Sequence, residues 1–248
     1  MSATTIDKVL VFDVSARFAH FKRIYATTTA LTYPIPMKTA VYGLLGAILG
    51  LERADNGYLR SFTAGACKIG LRVLKPLQTQ RMTINLRPDF GALYYGTSKA
   101  NRKPTLVEFL YEPAYRVYVH HNDESLYARL KDQLQRGRSA YTPTLGLANL
   151  IACVRYQGEA RVTVAEGEEV LPVASVIPKR RLQGFDTAPQ RGLRLQEAAQ
   201  YAVEMTTDRD VTVRDAVLLD RNGSPIRAKV TDLSHLKYAD VNEYVVLF

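Results

Sequence analysis

Hydrophobic and polar positions alternate along several short stretches of the chain. The stretches KVLVFDVSA (8–16), ACKIGLRVLKPL (66–77) and PAYRVYVHH (113–121) are rich in Val, Leu, Ile and Tyr. A period of two is typical of strands that bury one face against a core. A fourth strand is predicted near Cys153–Tyr156. Together these stretches predict a sheet of four strands.

A long apolar segment follows the first predicted strand. The sequence PMKTAVYGLLGAILGLE begins at Pro36, and proline is favoured at the first position of a helix. The segment is apolar all round, which predicts a buried helix. We expect Gly43 and Gly46 to allow close packing against the sheet, and Gly50 to end the helix.

A second helix is predicted over NDESLYARLKDQLQRG, which begins at residue 122. Asn122 or Asp123 can cap its first turn, and Gly137 is expected to end it. Leucines at 126, 130 and 134 recur every four residues and form one apolar stripe.

The order of these elements is β-α-β-hairpin-β-α-β, which predicts an α+β fold of the ferredoxin-like (RRM-like) kind. Residues 78–112 are basic and rich in Gly, Tyr and Pro, and we interpret them as a projecting basic β-hairpin. Residues 1–165 are therefore expected to form an RRM-like domain with this insertion. Residues 166–248 are expected to form a smaller β-rich C-terminal part, with a hairpin turn at Arg221–Ser224.

Length and composition exclude several classes of protein. The longest apolar run, Ala40–Leu51, is too short to span a membrane, and the N-terminal residues lack the features of a secretion signal. Cys67 and Cys153 are isolated, so neither a disulfide framework nor a zinc site is expected, and a reducing cytoplasm fits. No nucleotide-binding or hydrolase motif is present, so no cofactor is expected. We interpret the carboxylates of Asp208–Asp210 as solvated rather than as part of a metal site.

The positive charge of the chain is unevenly distributed. The net charge is +9, and nine basic residues against two acidic ones lie between Arg60 and Leu110. Residues 16–40 contain four further basic residues and no acidic one. Clustering of this kind is typical of a protein that binds a polyanion.

The segment RFAHFKRIY, which begins at Arg17, interleaves cations with aromatic rings directly after the first predicted strand. Single-stranded RNA is held by cations on its phosphates and by rings under its bases, so this segment is a candidate RNA contact. The alternative is that Phe18 and Phe21 belong to the core and the cations are solvated. Two more basic clusters, SKANRK (98–103) and PKRR (178–181), favour binding.

His120 and His121 offer a different interpretation. A ribonuclease that needs no metal can work with a histidine, a lysine and a tyrosine within reach of the RNA 2′-hydroxyl. Tyr42, Tyr118 and Lys22 are candidate partners for the two histidines. The alternative, which we favour, is a structural histidine pair at the end of a strand.

Two longer motifs resemble a known family. The segment FDVSARFAHFKRIYATTTALTYPIPMKTAVYGLLGAILGLER (12–53) is similar to the N-terminal signature of the CRISPR-associated protein family five, of the RAMP superfamily. The segment YEPAYRVYVHHNDESLYARLKDQLQRGRSAYTPTLGLANLIACV (111–154) resembles a second region of that family, in the version typical of subtype I-B. Ser15, Thr144 and Ala148 depart from the commonest pattern.

The resemblance implies a non-catalytic subunit of the type I-B Cascade complex in antiviral defence. Such a subunit grips the 5′ handle of the crRNA with an RRM-like domain and a hairpin thumb, here about residues 78–112. It caps the foot of the complex, contacts the adjacent backbone subunit and the large subunit, and meets target DNA only through the complex. The implied RNA-binding residues are Arg17, His20, Phe21, Lys22, Arg23, Tyr33, Lys38, Arg81, Arg87, Arg102, Lys103, Tyr141, Thr142 and Gly146.

Two other functions remain open. In subtype I-C the relative of this family is itself the pre-crRNA endoribonuclease, and that activity would centre on His120, His121 and Tyr42 here. A generic RRM-like regulator of cellular mRNA is the other alternative. The type of RNA that co-purifies with the chain distinguishes that regulator from a Cascade subunit.

Overall fold

The computed structural model describes residues 6–24, 30–63, 65–86, 103–165, 169–186 and 192–248. The fold is α+β and consists mainly of strands. Its helices are α1 (Lys38–Leu49), α2 (Tyr58–Ser61) and α3 (Glu124–Gln135). Its strands are β1 (Lys8–Ser15), β2 (Phe18–Ala19), β3 (Cys67–Val73), β4 (Gln78–Leu86), β5 (Lys103–Tyr111), β6 (Ala114–His121), β7 (Cys153–Val164), β8 (Leu171–Val173), β9 (Ile177–Pro178), β10 (Leu182–Phe185), β11 (Leu195–Met205), β12 (Val211–Asp220), β13 (Ile226–Val230), β14 (Leu233–Tyr238) and β15 (Val241–Val246).

The four strands predicted in the first 165 residues are present, and β7 is longer than expected. They lie side by side in the order β7-β1-β6-β3, and each neighbouring pair is antiparallel. Leu10, Phe12 and Val14 alternate along β1 and belong to the main core together with the buried faces of α1 and α3. This alternation explains why the strand pattern was readable from the sequence.

The C-terminal residues are rich in strands, as predicted, and five of these strands continue the first sheet. The sheet has nine strands in the order β10-β13-β8-β15-β14-β7-β1-β6-β3. It curls until Phe248 reaches β3, where Phe248 and Ile69 exchange two backbone hydrogen bonds of 3.1 Å each. The second face of the sheet is thereby enclosed, with Val9, Val11 and Tyr118 fully buried.

Two smaller sheets carry the remaining strands. Strands β2, β5 and β4 form a three-stranded sheet, so the predicted basic insertion is a hairpin in its described part. Strands β11, β12 and β9 form the other, which packs on the start of α1. There the hydroxyl of Tyr201 donates to the carbonyl of Pro36 at 2.9 Å.

Helix α1 begins at Lys38, two residues after the predicted start, and differs from the prediction in what its glycines contact. A Cβ on Gly46 would lie 3.2 Å from the Cβ of Tyr58, so Gly46 packs against α2 and not against the sheet. A Cβ on Gly43 would meet no atom within 4 Å, so Gly43 faces open space. Gly50 ends the helix with a positive φ of 71°, as predicted.

Helix α3 matches the prediction closely. The carboxylate of Asp123 accepts hydrogen bonds from the backbone N–H groups of Ser125 and Leu126 at 2.8 and 3.1 Å, and so caps the helix. Gly137 follows the helix with a φ of 61°. None of the helices that the structure describes is long and apolar enough to cross a membrane.

Candidate nucleic-acid interface

The two motif regions found in the sequence meet at His20 and Gly146. The backbone N–H of His20 donates to the carbonyl of Leu145 at 3.1 Å. Gly146 has a φ of 101°, and a Cβ built on it would lie 1.9 Å from the carbonyl oxygen of His20. Only glycine allows this approach, so the loop at 141–152 lies directly against the segment that follows β1.

The side chain of His20 joins this segment to the basic hairpin. Its Nδ1 donates to the carbonyl of Glu108, on β5, at 2.8 Å, and its ring lies 5.6 Å from the ring of Phe109. The side chain is buried, with 5% of the residue exposed. His20 was predicted to contact RNA, but its imidazole is enclosed because it is used to hold the hairpin in place.

Four predicted cations surround this junction. Arg17 and Lys22 are exposed, and the carbonyl of Arg17 accepts from the backbone N–H of Glu112 at the base of the hairpin at 2.8 Å. The Nε of Arg23 donates to the carbonyl of Thr32 at 2.9 Å, while its guanidinium lies 5.8 Å from the ring centre of Tyr33. Arg81 lies on β4 with 60% of its side chain exposed.

Glu108 also stabilises this junction, a role that was not predicted from the sequence. Its carboxylate accepts from the Nε and Nη2 of Arg81 at 3.3 Å each and from the backbone N–H of Thr32 at 3.4 Å. The side chain of Glu108 therefore connects the hairpin to the segment that contains Thr32. The available signal was its isolation as one of two acids in a basic stretch of the sequence.

Besides His20, three of the predicted contact residues have buried side chains. Phe21 is 3% exposed and belongs to the core, and Tyr33 is 1% exposed with its hydroxyl donating to the carbonyl of Gln200 at 3.1 Å. Lys38 is 1% exposed, and its Nζ lies 3.0 Å from a carboxylate oxygen of Glu204. Burial lowers the pKa of Lys38, although Glu204 acts in the opposite direction. Tyr33 and Lys38 turn inward because β11, which carries Gln200 and Glu204, packs over the start of α1.

The remaining predicted residues divide into two groups. Tyr141 and Thr142 are exposed and lie beside α1, where the backbone N–H of Tyr141 donates to the carbonyl of Ala47 at 2.9 Å. Arg87 and Arg102 lie outside the described residues, and the structure describes only the backbone of Lys103, which begins β5.

The basic residues at 179–181 each lie beside an acidic residue of the same chain. Lys179 pairs with Glu197 at 3.1 Å, and Arg181 pairs with Asp232. Arg180 approaches Asp215 to 3.2 Å without the geometry of a hydrogen bond. This cluster was expected to favour RNA binding, but its cations face acidic residues from other elements of the chain.

The histidine pair lies inside the fold. The Nδ1 and Nε2 of His120 are 3.0 and 3.1 Å from oxygens of Lys8 and Asn122. The Nε2 of His121 donates to the carbonyl of Ser61 at 2.8 Å, and its Nδ1 accepts from the backbone N–H of Asp123 at 2.9 Å. Every ring nitrogen of the pair thus has a partner within the protein, and both residues are at most 5% exposed.

Tyr42, the third residue of the possible ribonuclease site, is also buried. Its hydroxyl donates to the carboxylate of Glu204 at 3.2 Å, and its ring stacks on Phe62 with centroids 5.5 Å apart. Burial, together with neighbouring acidic groups, raises the pKa of Tyr42 far above its ordinary value. Among the described residues, no group of three or more His, Cys, Asp or Glu side chains is arranged to hold a metal ion.

The family to which this arrangement belongs is decided by a match over most of the chain. A family model described as CRISPR-associated protein (Cas_Cas5) matches residues 9–225. The chain belongs to the Cas5 family. The model carries the name Cas_Cas5d, which denotes the subtype I-C member, so the prediction of subtype I-B is not confirmed. No curated protein sequence matches the chain.

Three solved structures are similar to this Cas5 chain at low sequence identity. A chain of a structure titled as the type III-B Cmr-beta complex bound to cognate target RNA and AMPPnP is 13% identical, with a TM-score of 0.51 and coverage of 89% of this chain and 86% of that one. A CRISPR protein from Archaeoglobus fulgidus is 14% identical, with a TM-score of 0.49 and coverage of 96% and 98%. A chain of a CRISPR RNA-guided surveillance complex is 13% identical, with a TM-score of 0.47 and coverage of 89% and 91%.

Proposed function

We propose that this Cas5 chain is a non-catalytic, crRNA-binding subunit of a type I-B Cascade complex, which it caps at the foot by holding the 5′ handle of the crRNA. Its partners are the adjacent backbone subunit and the large subunit, and it meets target DNA only through the complex. In this function an RRM-like sheet supports the hairpin of β4 and β5, which acts as the thumb.

The observation that carries the proposal is the junction around His20. The segment after β1, the loop at 141–152 and the basic hairpin lie together there, held by contacts of His20 with Leu145, Gly146 and Glu108. The exposed cations Arg17 and Lys22 flank the junction. Cations held on a rigid base suit the phosphates of a single strand, because the protein loses little conformational entropy when the RNA binds.

The contacts are assigned by exposure. Arg17, Lys22 and Arg81, which are exposed, and Arg23, which is partly exposed, are the residues that bind phosphates. The same role is proposed for Arg87, Arg102 and Lys103. Residues with enclosed side chains, such as Phe21 and Tyr33, set the backbone path of the binding surface. This assignment keeps the predicted surface and changes the role of its buried members.

Co-purification tests the proposal directly. A tagged chain is produced together with its repeat RNA and its partner subunits, and the RNA that elutes with it is sequenced. We expect one class of RNA with a defined repeat-derived 5′ end, together with larger Cascade subunits. Heterogeneous mRNA fragments would instead identify a general RNA-binding regulator and contradict the proposal.

A metal-independent pre-crRNA endoribonuclease is the second candidate, favoured by the name of the matching family model. The enclosure of His120, His121 and Tyr42 supports the scaffold instead, since a general acid or base must reach the RNA. The purified chain is incubated with repeat RNA in the presence of EDTA. We expect intact RNA. Cleavage at one site that is lost in the double variant His120→Ala/His121→Ala would establish the ribonuclease.

A further inference from the structure

An open cleft runs along one face of α1, beside the proposed RNA surface. Its volume is about 860 Å³. The loop at 141–152 lines the cleft through Tyr141 and Thr142, and Arg53, Tyr58 and Arg209 line it as well.

The floor of the cleft has the form of a helix-packing surface. Ala40, Gly43 and Ala47 follow one another at intervals of three and four residues, so they lie on one face of α1. All three are partly exposed, although α1 was expected to be fully buried. The space above Gly43 is open, and a face made of small side chains lets another helix approach closely.

The charges on the cleft walls are of one sign. Arg53 and Arg209 are the charged residues that line it, both are exposed, and neither is paired with a carboxylate in the part of the chain that the structure describes. Arg209 adopts a φ of 68°, an uncommon conformation for a residue with a side chain. The backbone N–H of Arg209 stabilises this conformation by donating to the carbonyl of Thr206 at 3.0 Å. The walls are thus complementary to acidic groups on whatever enters the cleft.

Aliphatic side chains in the cleft distinguish a protein from RNA as the occupant. Met37, Leu44 and Leu51 line it beside the small residues of α1, and Met205 at the end of β11 lines it as well. Apolar surface of this kind marks protein interfaces, whereas single-stranded RNA is held by cations and aromatic rings. The cleft therefore fits an apolar partner better than a nucleotide.

We propose that the cleft is a docking site for an amphipathic helix of a partner protein. The helix presents small or medium apolar side chains to Ala40, Gly43 and Ala47, and carboxylates to Arg53 and Arg209. A groove of this kind recognises apolar anchors that are spaced along one face of the bound helix. The proposal rests on the proposed function only in taking the partner to be another subunit of the same complex.

Photocrosslinking in the assembled complex identifies the occupant. Tyr141 is replaced by p-benzoylphenylalanine, the complex is purified and irradiated, and the crosslinked peptide is sequenced by mass spectrometry. We expect a helical segment of another subunit, with apolar residues on one face and Asp or Glu beside them. The same crosslinker at Gln135, exposed on α3, serves as the control and is expected to give no such product.

A second variant tests the floor of the cleft without disturbing the core. Gly43→Gln projects into open space, so we expect a folded chain whose crosslinked subunit is retained about tenfold less well, as expected for loss of a central contact. Arg53→Glu/Arg209→Glu should lower retention through charge repulsion. The amount of crRNA in the same samples is measured in parallel.

The outcomes separate the two proposals. A crosslink to RNA, a crosslink to another part of this chain, or full retention of the subunit in Gly43→Gln overturns the docking site, and bound crRNA in that sample leaves the proposed function standing. Absence of a defined crRNA from the unmodified complex overturns the proposed function, whatever Tyr141 contacts.

Discussion

The carbonyl oxygen of His20 occupies the place where a side chain on residue 146 would begin. A Cβ on Gly146 would lie 1.9 Å from that oxygen and 2.8 Å from the carbonyl carbon, and the φ of 101° is itself unfavourable for other residues. This contact joins the two parts of the chain that carry the family resemblance. The absence of a side chain at 146 is therefore a requirement of the proposed RNA surface.

The variant Gly146→Ala should separate these two parts. Either the loop or the segment after β1 has to move, and we expect a loss of stability of about 1–3 kcal/mol, as for other strained backbone positions. We expect affinity for the 5′ handle to fall about tenfold, which corresponds to about 1.4 kcal/mol. Urea unfolding and fluorescence anisotropy with a labelled handle RNA measure the two effects.

Gly137→Ala is the matched control. Gly137 also has a positive φ, of 61°, but a Cβ there would meet no atom within 4 Å. It should show the conformational cost without the loss of RNA affinity. Equal loss of affinity in both variants would show that the contact with His20 does not shape the binding surface.

The sequence predicted the elements well because their signals are local. Alternation along β1, the cap at Asp123 and the end of α1 at Gly50 each depend on a few neighbouring residues, and the structure confirms them. The clustering of basic residues likewise identified the hairpin of β4 and β5. Signals of this kind do not depend on how distant segments pack.

The roles of single side chains depended on distant partners and were predicted less well. Lys38 was predicted to contact RNA, but its Nζ donates to the carboxylate of Glu204, 166 residues later in the chain. Gly43 and Gly46 lie three residues apart in the same helix, yet Gly46 faces α2 and Gly43 faces a cleft. The curl of the sheet that brings Phe248 to β3 likewise could not be read from alternation alone.

Gly43 and Gly46 provide a direct test of this difference. Gly46→Leu should lower the free energy of unfolding by roughly 1–3 kcal/mol, because the new side chain is forced against Tyr58. Gly43→Ala should raise it by up to about 1 kcal/mol, because alanine favours the helix and the space there is open. Urea unfolding followed by circular dichroism measures both. Similar changes at the two positions would contradict the packing of α1 against α2.

Glu159 should make the stability depend on pH. Partial burial acts to raise the pKa of Glu159, but hydrogen bonds from Lys131 and Tyr127, at 2.7 and 2.9 Å, outweigh it and lower the pKa below its ordinary value. The folded carboxylate therefore protonates at a lower pH than the unfolded one. Its stabilisation is present above the unfolded pKa and is lost as the pH falls through the folded pKa.

The variant Glu159→Gln measures this contribution. At pH 7 the free energy of unfolding in urea should be lower for this variant than for the unmodified chain. The difference should shrink as the pH approaches 3. Glu52→Gln, at an exposed position, should show little difference at either pH. A deficit for Glu159→Gln that stays constant from pH 7 to pH 3 would rule out the lowered pKa as its source.

The salt dependence of RNA binding tests the cations at the proposed surface. Each phosphate contact of a single strand contributes about 0.7 to the slope of log affinity against log salt concentration, because counterions are released. Lys22→Ala/Arg23→Ala should therefore weaken binding of the handle and flatten the slope by about 1.4 when both side chains contact phosphates. Arg161→Ala/Lys237→Ala removes two cations that face each other on β7 and β14, and should leave the slope unchanged. An unchanged slope in Lys22→Ala/Arg23→Ala would remove both residues from the RNA surface and leave Arg17, Arg81 and the hairpin to hold the phosphates.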